Sequence, residues 1–265
     1  MSLPILLEYQ GPVLILSLNN QPYNAMTLDT IDNLQRIVAD VAENNDIRAV
    51  VLTAEGGQNF SVGMDLKQLE SGAKAAGGVA NLLDQRLRVI AAIESMNKPW
   101  IATLFGYCLG GGLEIPLGCH FRLAASEGAL IGLPEMDLGS VPAWGGSARL
   151  AKIVGRARAT DMILRGKKIS GKEALEIGLV NEIWPLEQLR EKAIELAHQL
   201  ADQPQRSVQG MLQVLENCEE KNLQELLQLE RQALLKTLFS EDSQEGMQAF
   251  IEKRTPKFNR TIKSK

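Results

Sequence analysis

Apolar segments of strand length alternate with amphipathic segments of helical length along the first half of the chain. Residues 27–43 repeat apolar side chains at helical spacing after Thr27, a favourable helix N-cap, and residues 79–93 predict a second helix. Four strands are predicted from short runs of apolar residues, at 12–18, 47–54, 100–105 and 121–125. Strands that alternate with helices pack as a sheet covered by helices, so the sequence predicts an α/β core.

The second half of the chain is mainly helical. Six helices are predicted, over residues 157–164, 171–177, 186–203, 205–218, 222–239 and 241–253. No stretch rich in Pro, Gly or Ser separates these helices from the first half. We predict an α/β core over residues 1–195 and a C-terminal helical region over residues 196–265.

Composition excludes several classes of protein. Of 265 residues, 45% are hydrophobic and 23% are charged, which is typical of a globular protein with a sizeable core. The net charge of −4 argues against a nucleic-acid-binding surface over the whole domain. We see neither a membrane-spanning run nor a secretory signal pattern. Since Cys108, Cys119 and Cys218 lack metal-ligand spacing, we expect free thiols, no bound metal and a cytoplasmic location.

The densest chemical signal is the glycine-rich segment 106–118, GYCLGGGLEIPLG, which follows a predicted strand. It matches neither the phosphate-binding P-loop nor the GxGxxG dinucleotide pattern, so a nucleotide site is disfavoured. Glycines at this place let a ligand approach the backbone and leave N–H groups free at a helix N-terminus. A tight structural turn would explain the glycines equally well.

Two acidic residues, Glu114 and Glu135, lie among apolar neighbours. Burial would raise the pKa of each carboxyl into the range that suits proton transfer. The alternative is that each carboxylate caps a helix or binds a nearby backbone group. Two further segments accompany the pair: residues 59–69, with Asp65 at a helix start, and the glycine-bearing turn 141–146.

Together these segments resemble the crotonase family, the enoyl-CoA hydratase/isomerase superfamily, in the same order over nearly the whole chain. The ordered set is more specific than any single motif. The matching segments are QPYNAM at 21–26, FSVGMDLKQL at 60–69, GYCLGGGLEIPLGC at 106–119, GLPEMDLGSVPAWGG at 132–146, ISGKEALEIGLVNEIWP at 169–185 and EDSQEGMQAFIEKRTPKF at 241–258.

The resemblance implies an α/β fold, a crotonase-like spiral of ββα repeats with a C-terminal helical trimerisation region. It also implies hydration of a 2-enoyl-CoA thioester, in which the N–H groups of Val62 and Gly111 form an oxyanion hole. Glu114 is expected to activate water as a base, and Glu135 to protonate the α-carbon. No cofactor is implied beyond the coenzyme A that the substrate carries.

Further substrate contacts are implied by the same resemblance. They fall on Ala25, Met64, Asp65, Leu66, Ala143, Trp144 and Lys253, the last near the CoA 3′-phosphate and contributed by a neighbouring subunit. Met64 and Trp144, with Leu130 and Met136, suggest an apolar acyl pocket.

The sequence departs from the family pattern at three places. The catalytic loop reads Pro142-Ala143-Trp144-Gly145-Gly146, where the family commonly has P-G-x-G-G. One extra residue precedes Glu135: either a hairpin at 127–128 absorbs it and leaves Glu135 in place, or the carboxyl of Glu135 is misdirected. His120 stands where an Asp is usual, and we interpret it as structural.

The sequence alone is compatible with several other functions. Within the same fold, the chain could be an isomerase, a dehydratase or a thioester hydrolase. A non-enzymatic RNA- or protein-binding role is the other class, because residues 253–265 are basic and carry no acid. The late helices carry apolar faces that serve either packing within the chain or assembly, and the resemblance favours assembly as a homotrimer or a dimer of trimers. The residues of these faces are Leu223, Leu226, Leu227, Leu234, Leu235 and Leu238.

Overall fold

The computed structural model describes residues 3–259. Residues 260–265 of the predicted basic segment therefore lie outside the described part of the chain. The strands of the described part are β1 Ile5–Gln10, β2 Val13–Leu18, β3 Ala49–Ala54, β4 Trp100–Leu104, β5 Tyr107–Leu109, β6 Phe121–Ala125, β7 Leu130–Gly132 and β8 Glu182–Trp184.

Six strands form the main sheet in the spatial order β1-β2-β3-β4-β6-β8. β1 runs antiparallel to β2, and every other pair in this sheet is parallel. Every residue of β2, β3 and β4 is buried, which explains why their sequences are nearly continuous apolar runs. All four strands predicted from the sequence are present, and the α/β class is confirmed.

A second, smaller sheet pairs β5 with β7 in parallel. Isolated bridges extend this pairing from Cys108 to Ser61 and from Ile131 to Ile169, and a further bridge joins Met26 to Met64. Successive turns of the chain therefore add one strand to the main sheet and one short pairing beside it. This is the spiral of ββα repeats that the resemblance implied.

Helices cover the main sheet and extend beyond it. They are α1 Leu28–Glu43, α2 Leu69–Ala75, α3 Val79–Glu94, α4 Gly111–Leu117, α5 Gly146–Val154, α6 Arg156–Leu164, α7 Gly171–Glu176, α8 Leu186–Ala201, α9 Gln205–Glu216, α10 Leu223–Thr237 and α11 Glu241–Glu252. Two short 3₁₀ helices span Leu66–Gln68 and Glu135–Leu138. Within residues 3–259, no helix has the length and apolar character needed to cross a membrane.

The start of α1 shows how local sequence determines an element. The Thr27 hydroxyl accepts the N–H of Thr30, and the Thr30 hydroxyl accepts the N–H of Thr27, at 3.1 and 3.2 Å. This reciprocal capping satisfies backbone donors that the first helical turn leaves unpaired. The predicted N-cap is confirmed, and the buried side of α1 carries Ile31, Leu34 and Val38.

The predicted domain boundary between residues 195 and 196 is wrong, because it cuts through α8. Leu189, Ala193, Ala197 and Ala201 are buried at four-residue spacing along this helix. This face of α8 packs against the main sheet from β2 to β8, so the whole helix belongs to the core. In α9, α10 and α11, by contrast, only Ala233 and Ala249 are buried within the described chain.

Candidate active site

The glycine-rich segment forms the link between β5 and α4. Gly110, with φ of 55°, turns the chain from the short strand into the helix. The N–H groups of Gly111 and Gly112 lie in the first turn of α4, where no earlier helical carbonyl can accept them. The segment therefore presents backbone donors next to Glu114, which sits in the same turn.

Glu114 is almost completely buried, with 2% of its surface exposed. Its Oε1 accepts the N–H groups of Trp144 at 2.8 Å and of Gly146 at 2.9 Å, at the start of α5. Burial raises the pKa of the Glu114 carboxyl to about 7, although these two hydrogen bonds oppose the rise. A group that titrates near neutral pH can take up and release protons under ordinary conditions.

Glu135 lies in a different environment at the start of a 3₁₀ helix. A Cβ atom added to Gly110 would lie 3.1 Å from Glu135 Oε1, so this carboxyl reaches the start of α4. Its Oε2 is buried and receives no donor from the described residues. Burial raises the pKa of Glu135, and its negative charge contributes to the raised pKa of Glu114. Glu114 has two donors that favour its charged form, whereas the buried oxygen of Glu135 favours a bound proton.

The predicted hairpin at residues 127–128 is wrong, although a turn is present there. β6 and β7 flank this turn but belong to different sheets, so they do not pair with each other. Gly128 adopts a φ of 74°, which glycine tolerates without strain. The turn accommodates the longer segment, and Glu135 still reaches the start of α4 beside Gly110.

The predicted oxyanion donor Val62 is also wrong. Its N–H donates to the carbonyl of Tyr23 at 3.1 Å and is therefore not free for a ligand. The N–H of Met64, two residues later, has no acceptor among residues 3–259, because the neighbouring bonds use Met26 N–H to Gly63 and Asp65 N–H to Met26. A Cβ on Gly63 would lie 2.9 Å from the Gly111 nitrogen, so the two backbone segments are adjacent.

Trp144 fills the space beside Gly111 and is 4% exposed. A Cβ added to Gly111 would lie 2.5 to 2.9 Å from three atoms of the indole ring, so only glycine fits there. Leu130 and Met136, in contrast, are 40% and 38% exposed. The apolar acyl pocket expected from these residues and Met64 stays a prediction.

Sequence analysis did not identify the residues that hold the Trp144 loop. Arg149 forms an ion pair with Glu94 at 2.6 Å, and its Nη1 donates to the Trp144 carbonyl at 3.3 Å. The backbone N–H groups of Trp144 and Gly146, which orient Glu114, were missed as well. The signal for them was the glycine turn before α5, because a helix start offers unpaired N–H groups to a carboxylate.

The other residues predicted to contact substrate are distributed around this centre. The Ala25 carbonyl accepts Asn20 Nδ2 at 2.7 Å, and Asp65 caps the 3₁₀ helix by accepting the N–H of Lys67 at 3.1 Å. Leu66 is 58% exposed, Ala143 is half-buried, and Lys253 is exposed at the end of α11. Their roles toward a substrate stay predictions.

The histidine and the two cysteines near α4 have structural surroundings. His120 Nδ1 accepts the N–H of Trp100 at 3.1 Å, and burial lowers the pKa of this imidazole to about 4. Cys108 and Cys119 are buried, and burial raises the pKa of both thiols. A thiol that keeps its proton is a poor nucleophile, so these side chains serve packing.

Comparison with known proteins agrees with this geometry. A family model described as enoyl-CoA hydratase/isomerase matches residues 8–261. A probable enoyl-CoA hydratase of Bacillus subtilis is 36% identical, over 93% of this chain and 95% of the relative. The chain belongs to the enoyl-CoA hydratase/isomerase family.

Other members of the enoyl-CoA hydratase/isomerase family are similar over their full lengths. The 2,3-dehydroadipyl-CoA hydratase of Escherichia coli is 34% identical, over 96% of this chain and 98% of the relative. A crystal structure of an enoyl-CoA hydratase from Geobacillus kaustophilus superposes with a TM-score of 0.92 at 30% identity, covering 98% of this chain and 97% of that one. The crotonase-type fold is thus confirmed.

The raised pKa of Glu114 predicts a pH-dependent cost in stability. Because the folded pKa of about 7 exceeds the ordinary 4.5, the stabilising effect of this group is complete below pH 4.5 and is lost as the pH rises through 7. Between pH 5 and pH 8 the loss amounts to roughly 2–3 kcal/mol at most. Glu114→Gln should remove this loss, which denaturant unfolding at both pH values measures.

An exposed acid supplies the control for this experiment. Glu191→Gln, on the surface of α8, should leave the difference in unfolding free energy between pH 5 and pH 8 as it is in the wild type. Equal pH dependence in the wild type and in Glu114→Gln would show that the Glu114 carboxyl titrates normally.

Proposed function

We propose that this protein is an enoyl-CoA hydratase that adds water across the double bond of a 2-enoyl-CoA thioester. The observation that carries the proposal is the pair of carboxyls, Glu114 and Glu135, in contrasting environments beside unpaired backbone N–H groups. Hydration needs one group to take a proton from water and another to deliver a proton to carbon. The curated relatives named as enoyl-CoA hydratases support the same reaction.

In this mechanism the N–H groups of Met64 and Gly111 bind the thioester oxygen. Negative charge grows on that oxygen when water attacks C3, and fixed donors stabilise it most at that moment. Glu114 accepts the proton of the attacking water, and Glu135 gives its proton to C2. One O–H is thereby added to C3 and one hydrogen to C2, and both carboxyls must then exchange a proton to restore the starting state.

Proton transfer and backbone hydrogen bonds carry every step of this reaction. We therefore propose that no metal or redox cofactor is needed, and that coenzyme A takes part only as a portion of the substrate. The three unpaired cysteines, two of them buried, fit a reducing compartment, which supports the expected cytoplasmic location. Activity that survives dialysis against a chelator would agree with the cofactor proposal, and activity restored only by a metal would contradict it.

Turnover of a panel of 2-enoyl-CoA thioesters tests the proposed function. The expected products are 3-hydroxyacyl-CoA esters, identified by mass, with the conjugated double bond lost. A 3-enoyl-CoA product would instead show isomerisation, and free coenzyme A would show thioester hydrolysis. Absence of turnover together with salt-dependent RNA retention would favour the non-enzymatic alternative.

We also propose that the chain assembles as a homotrimer or as a dimer of trimers. The support is the apolar surface of α10 and α11, where large side chains are unusually exposed. Their exposed fractions are 71% for Leu223, 53% for Leu227, 58% for Leu234, 60% for Leu235, 85% for Phe250 and 73% for Ile251. Assembly would bury this surface, and the family resemblance favours three-fold symmetry.

Sedimentation equilibrium at micromolar concentration measures the predicted assembly. We expect a mass of three or six chains, and we expect Leu234→Glu with Phe250→Glu to lower it, because charged side chains resist burial. Gln228→Glu, an exposed polar position on α10, is the matched control. A monomeric wild type would contradict the assembly and leave the apolar surface unexplained.

A further inference from the structure

Arg86 is a buried cation that forms no direct ion pair among residues 3–259, although the charge of Asp32, which Gln85 links to it, favours its charged form. It lies on the buried face of α3, and 2% of its surface is exposed. Its Nη1 donates to the Leu82 carbonyl at 2.9 Å and to Gln85 Oε1 at 2.8 Å, both neutral acceptors. No carboxylate of residues 3–259 lies within ion-pair distance of it. A buried charge without a counter-ion costs several kcal/mol, so its presence calls for an explanation.

The unpaired atoms of Arg86 lie along one edge of the guanidinium group. Nε is buried and has no hydrogen-bond acceptor. Nη2 likewise donates to no acceptor among the described residues. The N–H bonds of Nε and Nη2 are parallel in a guanidinium group, and this edge is the one that binds both oxygens of a carboxylate at once. The Nε–Nη2 edge of Arg86 therefore has the geometry to bind a carboxylate through two hydrogen bonds.

The Arg86 guanidinium group contacts Trp144, and Trp144 in turn packs on Gly111. The guanidinium carbon lies 5.8 Å from the centre of the Trp144 ring. The same ring packs on Gly111, which is a proposed oxyanion donor, and the Trp144 N–H holds Glu114. Stacking on an aromatic ring fixes the plane of a guanidinium group and leaves its edges free for hydrogen bonds.

We propose that Arg86 binds a carboxylate at the far end of the acyl chain, so that the preferred substrates are enoyl-CoA esters of dicarboxylic acids. This assignment of substrate class rests on the proposed hydratase function. A carboxylate would supply the directly hydrogen-bonded counter-ion that Arg86 lacks, and two parallel hydrogen bonds would orient the acyl chain. A tail that ends in a methyl group would leave the guanidinium edge unpaired inside the protein.

The alternative is that Arg86 only holds Trp144 through the ring contact. Arg86→Met separates the two roles, because it removes the charge and the two-pronged edge while keeping an unbranched side chain. Arg86→Lys keeps the charge but cannot bind a carboxylate through two parallel N–H groups. Arg88→Met, at an exposed position two residues along the same helix, is the matched control.

The test compares matched pairs of five- and six-carbon 2-enoyl-CoA esters, one ending in a carboxylate and the other in a methyl group. The ratio of their kcat/KM values should favour the carboxylate by about 10–100-fold in the wild type, the effect of one charged hydrogen-bonded pair. The ratio should fall to about one in Arg86→Met, remain intermediate in Arg86→Lys and be unchanged in Arg88→Met. An equal loss on both esters in Arg86→Met would overturn the proposal and leave only the contact with Trp144.

Binding of the matched saturated thioesters, measured by calorimetry, provides a readout that does not depend on turnover. Tighter binding of the carboxylate ester, lost in Arg86→Met, would support the role of Arg86 even if hydration failed. Equal affinity for the two thioesters in the wild type would overturn it. Hydration of the methyl-ended esters alone would support the proposed function while rejecting the assignment of Arg86.

Discussion

Replacement of either glutamate by glutamine is expected to lower kcat for hydration by about 10²–10⁴-fold. Glu114→Gln keeps an oxygen that can accept the N–H groups of Trp144 and Gly146, but it removes the base. Glu135→Gln removes the proton that is to be delivered to C2. KM should change little, because neither carboxyl is proposed to hold the CoA portion. Steady-state kinetics on a four-carbon 2-enoyl-CoA gives both parameters.

The double variant tests whether the two carboxyls act on the same water. Its loss should be far smaller than the product of the two single losses, because one missing group already disables the shared step. If kcat is nearly unchanged in Glu114→Gln but lost in Glu135→Gln, the reaction is isomerisation, since a single carboxyl can move one proton between carbons. Unchanged kcat in both variants on every ester tested would reject the proposed enzymatic function.

Removal of a single backbone N–H at position 64 or 111 is expected to lower kcat by about 10²–10³-fold. An ester bond in place of the amide removes the donor and leaves the side chain untouched. Met64 is suited to this exchange because its N–H has no protein acceptor, so the folded loop should lose nothing. Incorporation of the α-hydroxy analogue of each residue, followed by steady-state kinetics, provides the measurement.

The same exchange at Val62 separates the two candidate donors. The Val62 N–H donates to Tyr23, so its loss should reduce stability by about 1 kcal/mol. It should change kcat of the folded enzyme far less than the exchange at Met64. A large fall in kcat at Val62 with no effect at Met64 would restore Val62 as the donor.

Local patterns predicted the elements of the fold well. The Thr27 cap and the apolar runs of strand length depend only on residues that are close in sequence, so they can be recognised without the structure. The predicted boundary at residue 195 is wrong because α8, which contains it, packs on strands that are distant in sequence. Nothing in its own sequence distinguishes a helix that covers the main sheet from one that lies outside it.

Sequence analysis identified the two carboxyls and the Gly111 N–H that lie together in the structure, but it named Val62 instead of Met64 as the second backbone donor. Glu114 and Glu135 stand out as acids in apolar surroundings, but the choice between Val62 and Met64 depends on pairing with Tyr23 and Met26, which are far away in sequence. The burial of Arg86 could have been predicted from its spacing in the sequence. It follows Leu82 by four residues and precedes Ile90 by four, so helical spacing already placed it on the buried face of α3.

Hydration in water enriched in ¹⁸O shows whether the enzyme adds water to C3. A four-carbon 2-enoyl-CoA is incubated with the wild type and with Glu135→Gln, and the product is analysed by mass spectrometry. We expect one ¹⁸O atom at C3 of a 3-hydroxyacyl-CoA with the wild type, formed at least about 10²-fold faster than with the variant. A product without ¹⁸O at C3, or label only in a released carboxylic acid, would contradict the proposed hydration.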